Sequence, residues 1–156
     1  MHFNHIGISS DHTGRELKSF ISEYLNMLKV QVTDLGVSPN VEKSVDYPDY
    51  AAIAAQEVSN QKVDGAIAIC GTGIGMSIAA NKFPGVRATC IWDEYSCRMS
   101  RKHNDSNILC IGSRVLNQHR VVDLVKIWLE TPFDGERHLN RIEKIRQIER
   151  RQHMNP

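Results

Sequence analysis

Hydrophobic positions along this chain recur with two different periods. Short apolar runs of strand length, several rich in β-branched residues, appear at 5–9, 30–35, 66–70, 86–92 and 107–112. Between them the apolar residues fall at helical spacing. Leu17, Phe20, Ile21, Tyr24, Leu25 and Leu28 mark the first helix. Tyr47-Pro48-Asp49 opens a second, running through Ala51–Ala55 to Val58, with Pro48 suited to its first turn. A polar helix is predicted over 93–104, and another over 121–130 that Thr131-Pro132 ends. A last helix, from about 136 to 151, carries Leu139, Ile142, Ile145 and Ile148 on one face and five arginines elsewhere. Residues 37–46 are polar with one proline and read as a loop. Strands alternating with helices predict an α/β fold, its parallel sheet covered on both faces.

The run Ala66-Ile67-Ala68-Ile69-Cys70 is the size of a strand buried on both faces, and it leads directly into Gly71-Thr72-Gly73-Ile74-Gly75 and a small-residue helix start. Strand, glycine loop and helix place free backbone N–H groups outside the carboxyl end of a strand, where α/β folds bind ligands. The loop is not a P-loop, because no Gly-Lys-Ser/Thr follows, and its glycines at every second position are not the dinucleotide fingerprint. Taken alone it is equally a tight turn that needs glycine for its backbone angles. Cys70 ends the strand beside this loop. A helix N-terminus there favours the thiolate over an ordinary thiol pKa of about 8.5, which suits a nucleophile, a redox centre or a general base. The plain alternative is a small buried hydrophobe. Cys90 and Cys110 fall inside predicted strands and read as core, and Cys97 as a helix packing residue.

Composition narrows the field. The chain has 156 residues, the size of one domain, and a formal net charge of +1, which gives no electrostatic case for nucleic acid. No apolar run approaches the ~18 residues of a membrane span, and the start Met1-His2-Phe3-Asn4-His5 does not read as a signal peptide. Four cysteines without a C-x-x-C pair point to a reducing cytoplasm, and seven histidines without ligand spacing predict no metal. Asp11 and His12 follow the first strand and so share an edge with Cys70. His103, at the end of a helix, is expected to arrive at that same edge. Arg137 and Arg141, four apart on one helical face, with Arg114, supply guanidinium forks for a phosphate. Solvated helix face is the plain reading for Arg146, Arg150 and Arg151. Together these groups suggest a small phosphorylated metabolite, held by arginines. Its reactive end would lie over N–H groups that stabilise an oxyanion, while a thiolate or imidazole moves a proton without metal or cofactor.

Motifs along nearly the whole chain resemble the ribose-5-phosphate isomerase B family, the RpiB/LacAB sugar-phosphate isomerases. The residues that carry the resemblance are Ser10-Asp11-His12-Thr13-Gly14-Arg15-Glu16-Leu17-Lys18, Asp46-Tyr47-Pro48-Asp49-Tyr50-Ala51, Cys70 to Gly75 with Ala79-Ala80-Asn81-Lys82, Ser100-Arg101-Lys102-His103-Asn104-Asp105, Gly112-Ser113-Arg114, and Arg137-His138 with Arg141. The resemblance implies a Rossmann-like three-layer α/β/α sandwich, with a five-stranded parallel sheet and a C-terminal helix, as one domain over residues 1–156. It also implies the interconversion of D-ribose 5-phosphate and D-ribulose 5-phosphate through a cis-enediolate, within the pentose phosphate pathway. In that scheme Cys70 is the base between C1 and C2, Thr72 helps move protons between the sugar oxygens, and His103, with Asn104 beside it, opens the furanose ring. Gly71, Gly73, Ile74 and Gly75 hold the enediolate's charge. Asp11 and Tyr47 line the sugar site, while His12, Arg114, Arg137 and Arg141 hold the phosphate. Some members place a glutamate base where this chain has Gly75. Family members are homodimers, sometimes paired into tetramers, whose active sites draw on both subunits.

Three alternatives follow from the same residues. A six-carbon sugar phosphate would need only a deeper pocket. A non-catalytic phosphate sensor would keep the arginines and the loop without needing Cys70, Thr72 and His103 together. A thiol oxidoreductase would want a resolving partner for Cys70, which the sequence does not offer.

Overall fold

A computed structural model of the chain describes residues 2–38, 40–41 and 43–154. The strands are β1 (His5–Ser10), β2 (Gln31–Asp34), β3 (Gly65–Cys70), β4 (Ala88–Cys90) and β5 (Ile108–Gly112). They form one parallel sheet in the order β2-β1-β3-β5-β4. After a 3-10 turn at His12–Gly14, the helices are α1 (Arg15–Met27), α2 (Tyr47–Ser59), α3 (Ile74–Ala80), α4 (Glu94–Asn104), α5 (Gln118–Glu130) and α6 (Arg137–Met154). No helix among the described residues is long and apolar enough to cross a membrane.

Successive strand residues point to opposite faces, and this sheet sorts them by size. Ile6, Ile8, Ile67, Ile69, Leu109 and Ile111 face Ile21 and Leu25 of α1, Cys97 of α4, and Leu124, Val125 and Trp128 of α5. Ala66, Ala68, Cys70, Ile108 and Cys110 face the other way, onto Ala51, Ala54 and Ala55 of α2 and Met76 and Ala80 of α3. The small side chains on that second face let α2 and α3 lie close to the sheet. Every residue of β3 is buried, which is why its sequence is an unbroken apolar run.

Element limits differ from the sequence reading where side chains compete with the ladder. The run at 86–92 pairs only through Ala88–Cys90. The Arg87 N–H is taken by the Asn107 side chain at 2.7 Å. α5 starts at Gln118 rather than at 121, because the Asn117 side-chain oxygen accepts from the Arg120 N–H at 2.9 Å and caps the first turn. The apolar stripe of α6 meets the rest of the chain chiefly at Ile142, which is 3% exposed, whereas Leu139, Ile145 and Ile148 are 55%, 46% and 59% exposed.

This topology fixes where a site forms. β1 and β3 are neighbours at the centre, and the chain leaves β1 through α1 toward the outer strand β2. A crevice therefore opens beyond the carboxyl ends of β1 and β3. Asp11 and Cys70 stand there.

Candidate active site in two halves

At the carboxyl edge the expected residues come together. The Asp11 N–H bonds the Ile69 carbonyl at 3.1 Å, which sets Asp11 beside the end of β3. The carboxylate of Asp11 accepts from the N–H and hydroxyl of Thr13 at 2.8 and 2.6 Å and caps the 3-10 turn that carries His12. The Val45 N–H donates to His12 Nδ1 at 3.2 Å, which ties the loop before α2 to this corner. From the other side, the N–H groups of Ser113 and Arg114 bond the carbonyls of Cys70 and Gly71 at 2.8 and 3.1 Å. The Arg114 side chain then lies over Gly71, whose added Cβ would stand 3.5 Å from its Cδ.

The glycine loop itself is built around Gly73. Its φ is +82°, a backbone angle that side-chain-bearing residues avoid, and an added Cβ would meet the Cys90 sulfur and the Ile111 backbone at 2.9 Å. In that conformation the Gly73 N–H donates to Cys70 Sγ at 3.2 Å. Thr72 is exposed, with its hydroxyl accepting from the Ile74 N–H at 3.3 Å. The first-turn N–H groups of Gly75 and Met76 have no acceptor within α3. Gly75 is also covered: a Cβ there would lie 2.5 Å from the Tyr47 ring. A glutamate at this position would have to displace the Tyr47 ring.

Cys70 is itself buried, at 5% exposed, and Cys97 and Cys110 are buried as well. Cys90, read from sequence as core, is half-buried beside the loop, and its sulfur donates to the Thr72 carbonyl at 3.5 Å. Burial, and then the neighbouring Cys70, push the Cys90 thiol up to about 11. Burial pushes Cys97 up to about 12 and Cys110 well above its ordinary value. All three stay protonated near neutral pH.

His103 and Asn104 are not at this edge. They end α4, and in a parallel sheet every helix returns to the amino ends of the strands. The Asn104 carbonyl accepts from Arg87 Nε at 2.9 Å, immediately before β4 begins. Asp105, at φ 46°, turns the chain and pairs with both Arg87 and Arg101. β5 alone separates the two edges by about 16 Å. The expectation that two histidines and Cys70 arrive at one edge is therefore corrected: His12 does, and His103 stands at the opposite one. Arg137 and Arg141 join His103 there.

This amino-edge cluster is organised by a residue that sequence reasoning quoted without a role. The His138 ring stacks on His103, with centroids 4.2 Å apart and planes 7° apart, and His138 is 4% exposed. Arg141 Nη1 lies 3.2 Å from its Nδ1, and Arg137 Nε lies 3.5 Å from its Nε2. Burial, then His103 and the two arginines, lower the His138 pKa, with Asp134 opposing. No local signal announces a stack between residues this far apart in sequence. Among the described residues no ion pair involves Arg114, Arg137 or Arg141, whereas Arg146 and Arg150 are paired with Glu143.

His103, Asp134 and His138 also gather their donor atoms within 4.8 Å of one another, so a metal has to be considered. The arrangement does not suit one. Imidazole lone pairs lie in the ring planes, and two nearly parallel planes cannot aim at one ion. Both nitrogens of His138 moreover face guanidinium groups.

The model of the Ribose/Galactose Isomerase family matches residues 6–145 of this chain. Ribose-5-phosphate isomerase B of Escherichia coli (strain K12) is 44% identical over 146 residues, covering 94% of this chain and 97% of the relative. The structure of Clostridium thermocellum ribose-5-phosphate isomerase B aligns with a TM-score of 0.91 at 45% identity, covering 95% of this chain and 99% of that one. The Mycoplasma genitalium ribose-5-phosphate isomerase B structure, with ribulose-5-phosphate bound, aligns with a TM-score of 0.88 at 40% identity, covering 94% and 96%.

Proposed function

The chain belongs to the ribose/galactose isomerase family, and from that premise we propose that it interconverts D-ribose 5-phosphate and D-ribulose 5-phosphate without a cofactor, as a step of cytoplasmic pentose phosphate metabolism. The sugar-phosphate chemistry is supported by the ribose-5-phosphate isomerase B relatives and by the ribulose-5-phosphate complex among them. The observation that carries the reading to residues is the Gly73 N–H aimed at Cys70 Sγ, with Asp11 and Arg114 on either side at the switch point.

The reaction runs in two stages. His103 takes the proton of the anomeric hydroxyl as the bond between C1 and the ring oxygen breaks, and that oxygen receives the proton. The aldehyde is then open. The Cys70 thiolate removes the hydrogen on C2, and the electron pair moves into a cis-enediolate whose oxygen charge rests on N–H groups of the 71–75 loop. The Thr72 hydroxyl passes a proton from one sugar oxygen to the other, and the Cys70 thiol returns its proton to C1. Asp11 and Tyr47 border the sugar, Asn104 stands beside His103, and His12 and Arg114 grip the phosphate from the same edge as Cys70.

His103, Asn104, Arg137 and Arg141 come from a second copy of the chain. One copy cannot use both halves of its own site, because they lie on opposite edges of its sheet. The exposed apolar residues Ile74, Ile78, Trp92, Leu139, Ile145 and Ile148 supply contact surface for that copy, and covering the exposed half of each is worth about 1 kcal/mol. A homodimer, alone or paired into a tetramer, is the working form.

Replacing Cys70 with Ala tests the chemistry. In deuterium oxide the variant should lose incorporation of deuterium at C1 and C2 by about a thousandfold or more, while still binding ribose 5-phosphate. Exchange at the wild-type rate would refute the assigned base.

A further inference from the structure

The stacked histidines place a second imidazole where the proposed reaction has no use for a second base. His138 is buried against His103, and each of its ring nitrogens faces a guanidinium, Arg141 at Nδ1 and Arg137 at Nε2. The charged groups around the pair are Lys102 on α4, Asp134 in the loop before α6, and Arg137 and Arg141 on α6 itself; Lys102 and Asp134 are 3.6 Å apart. Resting on the ring-opening role given to His103 above, we propose that His138 is a positioning residue: a flat, neutral plate that fixes the plane of the His103 ring relative to the two arginines.

A neutral imidazole has one lone pair, so at most one of its nitrogens accepts from a guanidinium. A second proton on His138 would leave neither nitrogen able to accept and set a charged ring between two guanidinium groups. His138 therefore stays neutral, and the face of His103 away from His138 is the one left to meet the sugar. Because Arg137 and Arg141 contact the same plate, the spacing between phosphate grip and ring-opening imidazole is fixed by one buried side chain. Only ring opening needs that spacing. Ribulose 5-phosphate has its O5 esterified and is open-chain, so proton exchange at its C1 needs Cys70 but no ring opening.

Two variants of the full chain separate the stack from the arginine contacts. His138→Gln keeps a group that can accept from the arginines and loses the stack; His138→Phe keeps the stack and loses the nitrogens. Conversion of ribose 5-phosphate and solvent-deuterium exchange into ribulose 5-phosphate are measured for each, with melting temperature as the check on folding. His138→Gln should lower kcat on ribose 5-phosphate about tenfold or more with exchange changed by no more than about twofold, and His138→Phe should restore kcat to within about threefold of wild type, with KM raised. Equal loss of conversion and exchange in His138→Gln, a pure KM effect, or failure of His138→Phe to restore kcat in a folded protein would each overturn the positioning role. A wild-type protein inert in both assays would instead sink the isomerase reading beneath it, so the two failures are told apart.

Discussion

The carboxyl edge is held in shape mostly by hydrogen bonds of its backbone, and the amino edge presents long side chains on helices. The Gly73 N–H, the capped Asp11 turn and the Ser113–Arg114 amides are each held by hydrogen bonds to neighbouring strand ends. Such an edge is rigid before any ligand arrives and suits a transition-state charge that must meet dipoles already in place. Arg137, Arg141 and His103 stand on helix surfaces, none of them buried, and the buried member of that cluster is His138. That edge suits recognition of a doubly charged phosphate and proton transfer at the sugar ring. The two halves are chemically complementary, and each chain carries both at places it cannot join. The difference teaches that, on the proposed reading, assembly of two copies, more than the fold of one chain, makes the catalyst.

The sharpest way to break this comparison is to inactivate one half in each of two chains. Cys70→Ala and His103→Ala variants, each inert alone, should regain activity when unfolded together and refolded as a mixture. Random pairing in a dimer makes half the molecules mixed, each with one intact site, so about a quarter of wild-type activity returns. If His103 and Cys70 served the same site within one chain, the mixture would stay inert.

A smaller effect sharpens the division of labour. Arg137→Ala and Arg141→Ala remove charge-assisted contacts at the amino edge without touching the glycine loop. Each should raise KM for ribose 5-phosphate about tenfold to a hundredfold, the cost of about 1.5–3 kcal/mol for one such contact, with kcat changed far less. A fall in kcat at unchanged KM would move the arginines from binding to chemistry.

How much of this was legible beforehand follows from what kind of signal each residue leaves. The sheet and its helices were readable because periodicity is local, and Cys70, Gly73 and Asp11 were readable because strand, loop and helix are consecutive in sequence. His103 was misplaced although its location was derivable: a residue ending a helix that returns to a parallel strand must lie at the amino edge. The His138 stack and the Tyr47 ring over Gly75 are contacts between distant elements, which no spacing rule encodes. Exposure of Leu139, Ile145 and Ile148 was hidden for the same reason, since an apolar helical stripe reads alike whether it covers its own chain or another.

Tyr47 allows a test confined to the carboxyl edge. Gly75→Ala pushes a methyl group to 2.5 Å from the Tyr47 ring, so the ring must swing away. Overpacking of this kind costs about 1–3 kcal/mol, less where an exposed ring can yield, and Tyr47 is 40% exposed. The expected result is a loss of stability near the lower figure, read from denaturant midpoints, that Tyr47→Ala combined with Gly75→Ala removes. A double variant no more stable than Gly75→Ala alone would mean that the two residues do not press on each other.

The weakest effect expected is on stability against acid, and it belongs to the amino edge. Burial beside His103, Arg141 and Arg137 lowers the His138 pKa from its ordinary 6.5, so between those two values the unfolded chain binds the proton more readily than the folded one. The neutral ring thus contributes stability that is present above pH about 6.5 and is lost as the pH falls through the lowered value. A ring that cannot titrate has no such dependence. Wild-type melting temperature should therefore drop more steeply between pH 7 and pH 5 than that of His138→Phe, while the carboxyl edge, unaltered in both, contributes equally. Parallel melting curves across that range would show that protonation of His138 costs the folded state nothing, and the guanidinium groups flanking it would then have to be free to turn away.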